Sequence, residues 1–254
     1  MKTVDISAIR SVSVSEMFDG PAEPAKSVLC KFRYNADELT AMNDSLTLIL
    51  NRDIRSSMEH ASEVSVFLAK KFPERTVLLV NTYAGESFMR ETLVKGMVSS
   101  QVPLPSRLRY SGLPDGIEFA AAGDGEVLTN LRLMNCPLAT LDAARLEGEV
   151  KAHGCDIVVL NSFEFSSLNR FALWNLARGI VELREKLDLS MIVYSQQFRA
   201  SISPYFIGRG AIGMMAPYAD SVWKVYSDFE SVHISHKNMT KIAELDNEEP
   251  NQVH

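Results

Sequence analysis

The stretch Val77-Leu78-Leu79-Val80-Asn81-Thr82-Tyr83-Ala84-Gly85-Glu86-Ser87-Phe88 comes nearest to recognisable chemistry. It reads as a buried strand, a short turn and a helix start. That is the layout of a phosphate-binding loop, Gly-x-x-x-x-Gly-Lys-Ser/Thr. In such a loop backbone N–H groups cradle phosphates, the lysine neutralises them and the hydroxyl holds magnesium. Here the first glycine position is Val80, the second is Gly85, the lysine position is Glu86 and the hydroxyl is Ser87. Two unit charges about 4 Å apart at an effective dielectric near 20 interact by ~4 kcal/mol, so exchanging an attractive charge for a repulsive one costs up to about 8 kcal/mol before relaxation or screening. Each 1.4 kcal/mol is tenfold in affinity, so ordinary ATP binding should be badly impaired. Glu86 has two readings. Its carboxylate either plugs the empty anion site or is merely favourable in a first helical turn, where exposed N–H donors and the helix dipole attract negative charge.

Other strand ends carry amides and hydroxyls. Asp156-Ile157-Val158-Val159-Leu160-Asn161 ends on Asn161, and Leu189 to Ser195 runs into Ser195-Gln196-Gln197. A neutral amide can accept from a metal-bound water but supplies no charge. Glu164, just beyond, reads as a substitute base or as a loop carboxylate. Arg199, Arg209 and Lys224 offer a phosphate-contacting surface or an ordinary solvated one. Tyr205 and Phe206 suit base stacking or burial against a neighbouring subunit. His153-Gly154-Cys155 lacks a second ligand pair at metal spacing. No Gly-x-Ser-x-Gly elbow occurs, and no nucleophile triad stands out. Trp174 and Trp223 read as core or interface aromatics.

The elements that position these residues follow from periodicity. Residues 1–35 read as an extension with turns at Asp19-Gly20-Pro21 and Pro24 and a short strand at Val28 to Phe32. From about 36 to 72 the pattern is helical, with Ile54, Met58, Ala61, Val64, Phe67, Leu68 and Phe72 near a 3.6 period before Pro73. Thr76 to Asn81 is an apolar run suited to a strand buried on both faces. A helix is predicted over Ser87 to Ser100. Residues 101–137 should hold one or two short strands and long loops, and Ala139 to Ala152 a helix. After the strand at 156–161, Ser166 or Ser167 caps a helix reaching about Leu187. Strands at 189–195, 221–226 and 231–236 close the pattern. Strands alternating with helices predict a mostly parallel sheet covered on both faces, with ligands beyond the carboxyl ends of its strands.

Bulk composition sets outer bounds. The chain has 254 residues, 46% apolar and 23% charged, with a net charge of −6 and no long basic run. That weighs against a constitutive nucleic-acid binder while leaving room for a local basic patch. Cys30, Cys136 and Cys155 are scattered and odd in number, as expected of reduced thiols in a cytoplasmic protein. No apolar run approaches the roughly 18–20 residues of a membrane span, so no membrane partner is expected.

Taken in order, these elements resemble the RecA-like ATPase core, especially its RadA, KaiC and DnaB branch, over roughly residues 76–240. The resemblance rests on 77–88, on Asp156 to Asn161, on Met191-Ile192-Val193-Tyr194-Ser195-Gln196, and on Ala219-Asp220-Ser221-Val222 with Arg209-Gly210 upstream. It implies an α/β fold: a mostly parallel sheet with helices on both faces, closing antiparallel strands and an N-terminal helical extension. The implied division is an extension at 1–72, a RecA-like core at 73–242 and an acidic tail at 243–254. The resemblance also implies roles. The second strand of the family ends in a magnesium-binding aspartate, where this chain has Asn161. Ser195 and Gln196 match the strand-end pair that senses γ-phosphate and couples to a DNA-facing loop, and without ATP Gln196 reads as a structural hydrogen bonder. Lys237-Asn238-Met239 keeps the lysine of a Lys-x-Arg finger and loses the arginine. The degenerate nucleotide site is then Gly85, Glu86, Ser87, Asn161 and Gln196, and Arg199, Arg209 and Lys237 are the expected DNA or partner contacts. No catalytic residue, no metal and no ATP cofactor are expected. The implied function is a pseudo-ATPase acting by assembly with itself or with an active RecA-like paralogue, accessory to DNA recombination, repair or replication. Two alternatives stand beside it: an active or weak NTPase using Ser87, Glu164 and a neighbour's lysine, and a single-stranded DNA binder using 198–215.

Overall fold

A computed structural model of the chain describes residues 26–34, 37–51, 54–83, 85–102, 104–105, 121–122, 128–163, 170–196, 215, 218–225 and 231–234. Its centre is a seven-stranded sheet. In chain order the strands of the structure are β1 (Val28–Tyr34), β2 (Asp37–Met42), β3 (Leu46–Asn51), β4 (Thr76–Asn81), β5 (Leu104–Pro105), β6 (Ala121–Ala122), β7 (Leu131–Asn135), β8 (Cys155–Phe163), β9 (Ser190–Gln196), β10 (Ser221–Val225) and β11 (Ser231–Ile234). The main sheet runs β11-β10-β3-β9-β8-β4-β7. Six strands are parallel, and β11 pairs antiparallel with β10. β1 and β2 form a separate antiparallel hairpin, and β5 with β6 a two-residue parallel pair.

The central strands are aliphatic because both their faces are covered. Alternate residues divide cleanly. Leu48, Leu50, Leu78, Val80, Val158, Leu160, Met191 and Val193 share one core with Leu146, Val150, Ala177 and Ile180. The last four belong to helices α3 (Ala143–His153) and α4 (Arg170–Leu187). Ile49, Val77, Leu79, Ile157, Val159, Ile192 and Tyr194 share the other with Ala61, Val64, Leu68 and Met89. Those come from α1 (Ile54–Lys71) and α2 (Glu86–Ser99). The hairpin adds Leu29, Cys30 and Ala41 to this second core. All three cysteines are free thiols and buried.

From β3 the chain crosses through α1 to β4, and α2 precedes β7 at the edge. The path then returns through α3 to β8 and through α4 to β9, filling the gap beside β3. Outward crossings use one face and return crossings the other, as right-handed connections require. Local signals fix the helix ends. Asp142 accepts a 2.7 Å bond from the Arg145 N–H at the start of α3, and Gly154 closes it at φ 59°. Lys70 and Lys71 end α1 before Pro73.

Two expectations need correction. Residues 37–51 are not helical. They form β2 and β3, and β3 lies between β9 and β10 inside the main sheet, so the stretch assigned to the N-terminal helical extension supplies a central strand. The helix covers only 54–71. α3 begins at Ala143, not 139, because Leu138–Thr140 makes a tight 3-10 turn and Asp142 caps the helix after it. Leu131–Asn135 lies in the stretch expected to hold one or two short strands among loops, and it is an edge strand of the main sheet. Ser166 and Ser167 and the tail at 243–254 lie outside the described residues.

Candidate functional site

The carboxyl ends of five parallel strands carry one kind of side chain, a carboxamide. β3 ends at Asn51, β4 at Asn81, β7 at Asn135 and β9 at Gln196, while Asn161 holds the matching position of β8. Pairing puts Asn81, Asn135 and Asn161 in one row, with Asn81 opposite both of the others, while Asn51 and Gln196 stand opposite each other two residues further along their strands, because Leu48, Val193 and Leu160 are level. Asn51, Asn81 and Asn161 share the strand parity of Ile49, Leu79 and Val159, which places them on the α1/α2 side. All three are buried, Asn161 completely.

Hydrogen bonds stitch this row. Asn81 Nδ2 donates to Asn135 Oδ1 at 2.8 Å. Asn81 Oδ1 accepts from the Tyr83 N–H at 3.4 Å, which folds the turn after β4. The Thr82 hydroxyl donates to the Asn161 carbonyl at 3.0 Å. Asn161 Nδ2 faces the Met89 sulfur on α2 at 3.9 Å. The backbone carbonyls of Asn81 and Thr82 accept from the N–H groups of Cys136 and Leu138. One strand over, the Tyr194 hydroxyl on β9 meets His60 Nδ1 on α1 at 2.7 Å. β4 sends its chain to α2 on one face and β8 leads to α4 on the other, so the ends of β4 and β8 flank a topological switch point, where open α/β sheets bind ligands.

The expected phosphate loop has a defined geometry. Val80 is fully buried inside β4 between Met134 and Leu160. Residues 82–85 alone connect the strand to α2. Gly85 is the N-cap of α2, with extended backbone at φ −67° and ψ 158° and no side-chain cap. A Cβ added there would meet nothing within 4 Å, so neither positive φ nor a close neighbour requires glycine. Glu86 is the first residue of α2, the position where an acid complements the helix dipole. Ser87 is exposed in the same turn. The structure thus gathers Gly85, Glu86, Ser87, Asn161 and Gln196 at the carboxyl edge of one sheet. The side chains of Glu86 and Gln196 lie outside its described part, as do Glu164, Arg199, Tyr205, Phe206, Arg209 and Lys237.

Sequence reasoning missed several members of this edge. A second strand-turn-helix, β3 to α1, stands in the middle of the sheet, with two residues between Asn51 and Ile54. Arg55 in its first turn lies 5.8 Å from the Phe88 ring centre and 3.4 Å from Glu59, which joins the starting turns of α1 and α2. Asn51 and Asn135 carried a legible signal: Ile-Leu-Asn, Leu-Val-Asn, Leu-Met-Asn and Val-Leu-Asn recur at four strand ends. Chemically the row donates and accepts hydrogen bonds without carrying charge. Among the described strand-end side chains there is no lysine and no carboxylate. Among the described residues no three His, Cys, Asp or Glu side chains gather to hold a metal, and no helix is long and apolar enough to cross a membrane. Trp223 is core, whereas Trp174 is exposed.

No family model matches the chain, and no curated protein matches it by sequence. Among solved structures, the ATPase domain of a DnaB-like helicase superposes with a TM-score of 0.51 at 14% identity, covering 77% of this chain and 78% of that one. A KaiC-like protein, PH0186 from the hyperthermophilic archaeon Pyrococcus horikoshii OT3, gives a TM-score of 0.46 at 9% identity over 77% and 84%. The fold is RecA-like α/β, with six parallel strands and helices on both faces.

Proposed function

We propose that this chain is a RecA-like domain that works by binding and does not hydrolyse ATP. It assembles with itself or with an active RecA-like paralogue, as an accessory to DNA recombination, repair or replication. The observation that carries the reading is Asn161. A fully buried amide stands near the end of β8, in contact with Met89, at the place where the resemblance calls for a magnesium carboxylate. The neutral row beside it, and Glu86 at the start of α2, point the same way. Among the described strand-end side chains there is no carboxylate to hold magnesium or activate water and no lysine to hold a triphosphate. The tie to DNA transactions is family analogy.

Titration calorimetry with magnesium-ATP is expected to give no saturable binding at micromolar protein. Sedimentation is expected to show assembly that nucleotide leaves unchanged. Micromolar ATP binding, or turnover that Ser87→Ala abolishes, would replace this reading with the second one, a weak NTPase with atypical ligands. One observation favours that alternative: Arg55 stands at the carboxyl edge where the N-termini of α1 and α2 meet, and both helix ends attract anions.

A further inference from the structure

One face of α4 carries a set of groups that do not belong to the amide row. Trp174, Arg178, Val181, Glu182 and Glu185 follow at i, i+4, i+7, i+8 and i+11, one stripe of a helix. With Tyr218 they line a groove of about 340 Å³. Val181 is its buried floor, while Trp174 is 41% and Tyr218 56% exposed. The groove already holds one guanidinium. The Arg178 side chain sits 5.5 Å from the Trp174 ring centre, and its Nε donates to Glu182 Oε1 at 2.6 Å. An aromatic face plus a carboxylate is how proteins grip arginine. Tyr218 and Glu185 repeat that pair of groups on the same groove. Glu185 has Arg184 beside it at 3.8 Å, a long contact, and Arg184 also donates to the Asp44 carbonyl at 3.2 Å.

We propose that this groove binds an arginine side chain carried by a partner protein, with the guanidinium stacked on Tyr218 and held by Glu185. Charge complementarity selects this occupant. A nucleic acid stacked on the same aromatics would bring phosphates against Glu182 and Glu185, on a chain of net charge −6. A purely apolar segment would strip water from two carboxylates and offer them no charged partner.

The chain has two tryptophans, so a nitrogen-proton correlation spectrum of the full chain shows two indole signals, and buried Trp223 serves as the internal control. The probe is the peptide acetyl-Gly-Arg-Gly-Arg-Gly-amide, with a citrulline twin that keeps the shape and loses the charge. The expected result is a saturable shift of the Trp174 signal with the arginine peptide, a still Trp223 signal and no response to the citrulline peptide. Tyr218→Ala and Glu185→Gln, both at exposed positions, should each weaken binding roughly fivefold. No Trp174 shift at millimolar peptide overturns the proposal. So does an equal response to citrulline, which means apolar docking. A response to oligothymidine alone means a nucleic-acid surface and overturns it too. Self-association seen by sedimentation without peptide and lost in Trp174→Ala means that a second copy covers the groove, and likewise overturns it.

Discussion

The hydroxyl of Tyr194 lies 2.7 Å from Nδ1 of His60, tying β9 to the second turn of α1 inside the core. Their rings meet edge to face at 5.6 Å and 72°. Tyr194 is wholly buried and His60 nearly so. Tyr194→Phe keeps the ring and deletes the bond, leaving an imidazole nitrogen against an apolar edge. The expected loss is about 1–3 kcal/mol of unfolding free energy, read from urea melts with an unchanged slope. Parent-like stability would mean that the contact contributes nothing.

Asn161 gives the amide row its sharpest test. Asn161→Asp inserts a carboxylate at a fully buried position beside Met89. An uncompensated buried charge costs about 3 kcal/mol or more. Thermal melts should fall accordingly, and added magnesium should not restore them. Recovery with magnesium would show that one carboxylate completes a metal site, and the binding-only reading would lose its support.

What the sequence disclosed follows from how each signal is encoded. β4, β8 and β9 are aliphatic runs with turn residues beside them, so both-face burial alone declares them. β3 is equally buried, but Leu46-Thr47-Leu48-Ile49-Leu50 runs almost directly into the apolar stripe of α1, and leucine favours helix. The missed punctuation was Asn43-Asp44, where Asp44 takes φ 48°. Asn81 and Asn161 were legible because their strands were. Asn51 and Asn135 were lost with theirs. The pairing of Tyr194 with His60 spans 134 positions and left no local trace.

Asn130 holds a junction that composition does not announce. Its Nδ2 lies 2.9 Å from the Ala69 carbonyl, 3.0 Å from that of Phe72 and 2.9 Å from that of Arg75, and its own carbonyl accepts from the Val77 N–H. It closes the end of α1 and steers the chain into β4. Asn130→Ala should cost about 2 kcal/mol in chemical denaturation, and Asn130→Asp more, because a carboxylate would face three carbonyls. An aspartate variant as stable as the parent would refute this geometry.

Burial pushes the Cys30 thiol from 9.0 up to about 12, against the opposing pull of Lys71 and of a bond from Ala41. Cys155 rises to about 11, through burial first and then the charge of Asp156. The unfolded thiols ionise near 9.0 while the folded ones stay neutral, so these groups favour the fold fully below that pH. Their contribution shrinks as pH climbs through 9 towards 12. Melting temperature should therefore fall across that range, and Cys30→Ala should flatten the decline relative to the parent. An identical slope in the variant would remove Cys30 from the account.

Gly179 on α4 and Ala143 at the start of α3 leave no room for another carbon. A Cβ built on Gly179 would lie 2.5 Å from that of Ala143, well inside contact distance. Helix propensity alone would make Gly179→Ala stabilising by about 1 kcal/mol. The close approach reverses the sign, with an expected loss of about 1–3 kcal/mol from overpacking. The discriminating experiment is a double-mutant cycle. Ala143→Gly removes the opposing methyl, so the double variant should recover most of what Gly179→Ala loses, apart from the cost of a glycine in α3. Additive losses would mean that the two positions do not touch, and that the contact between α3 and α4 is looser than this packing requires.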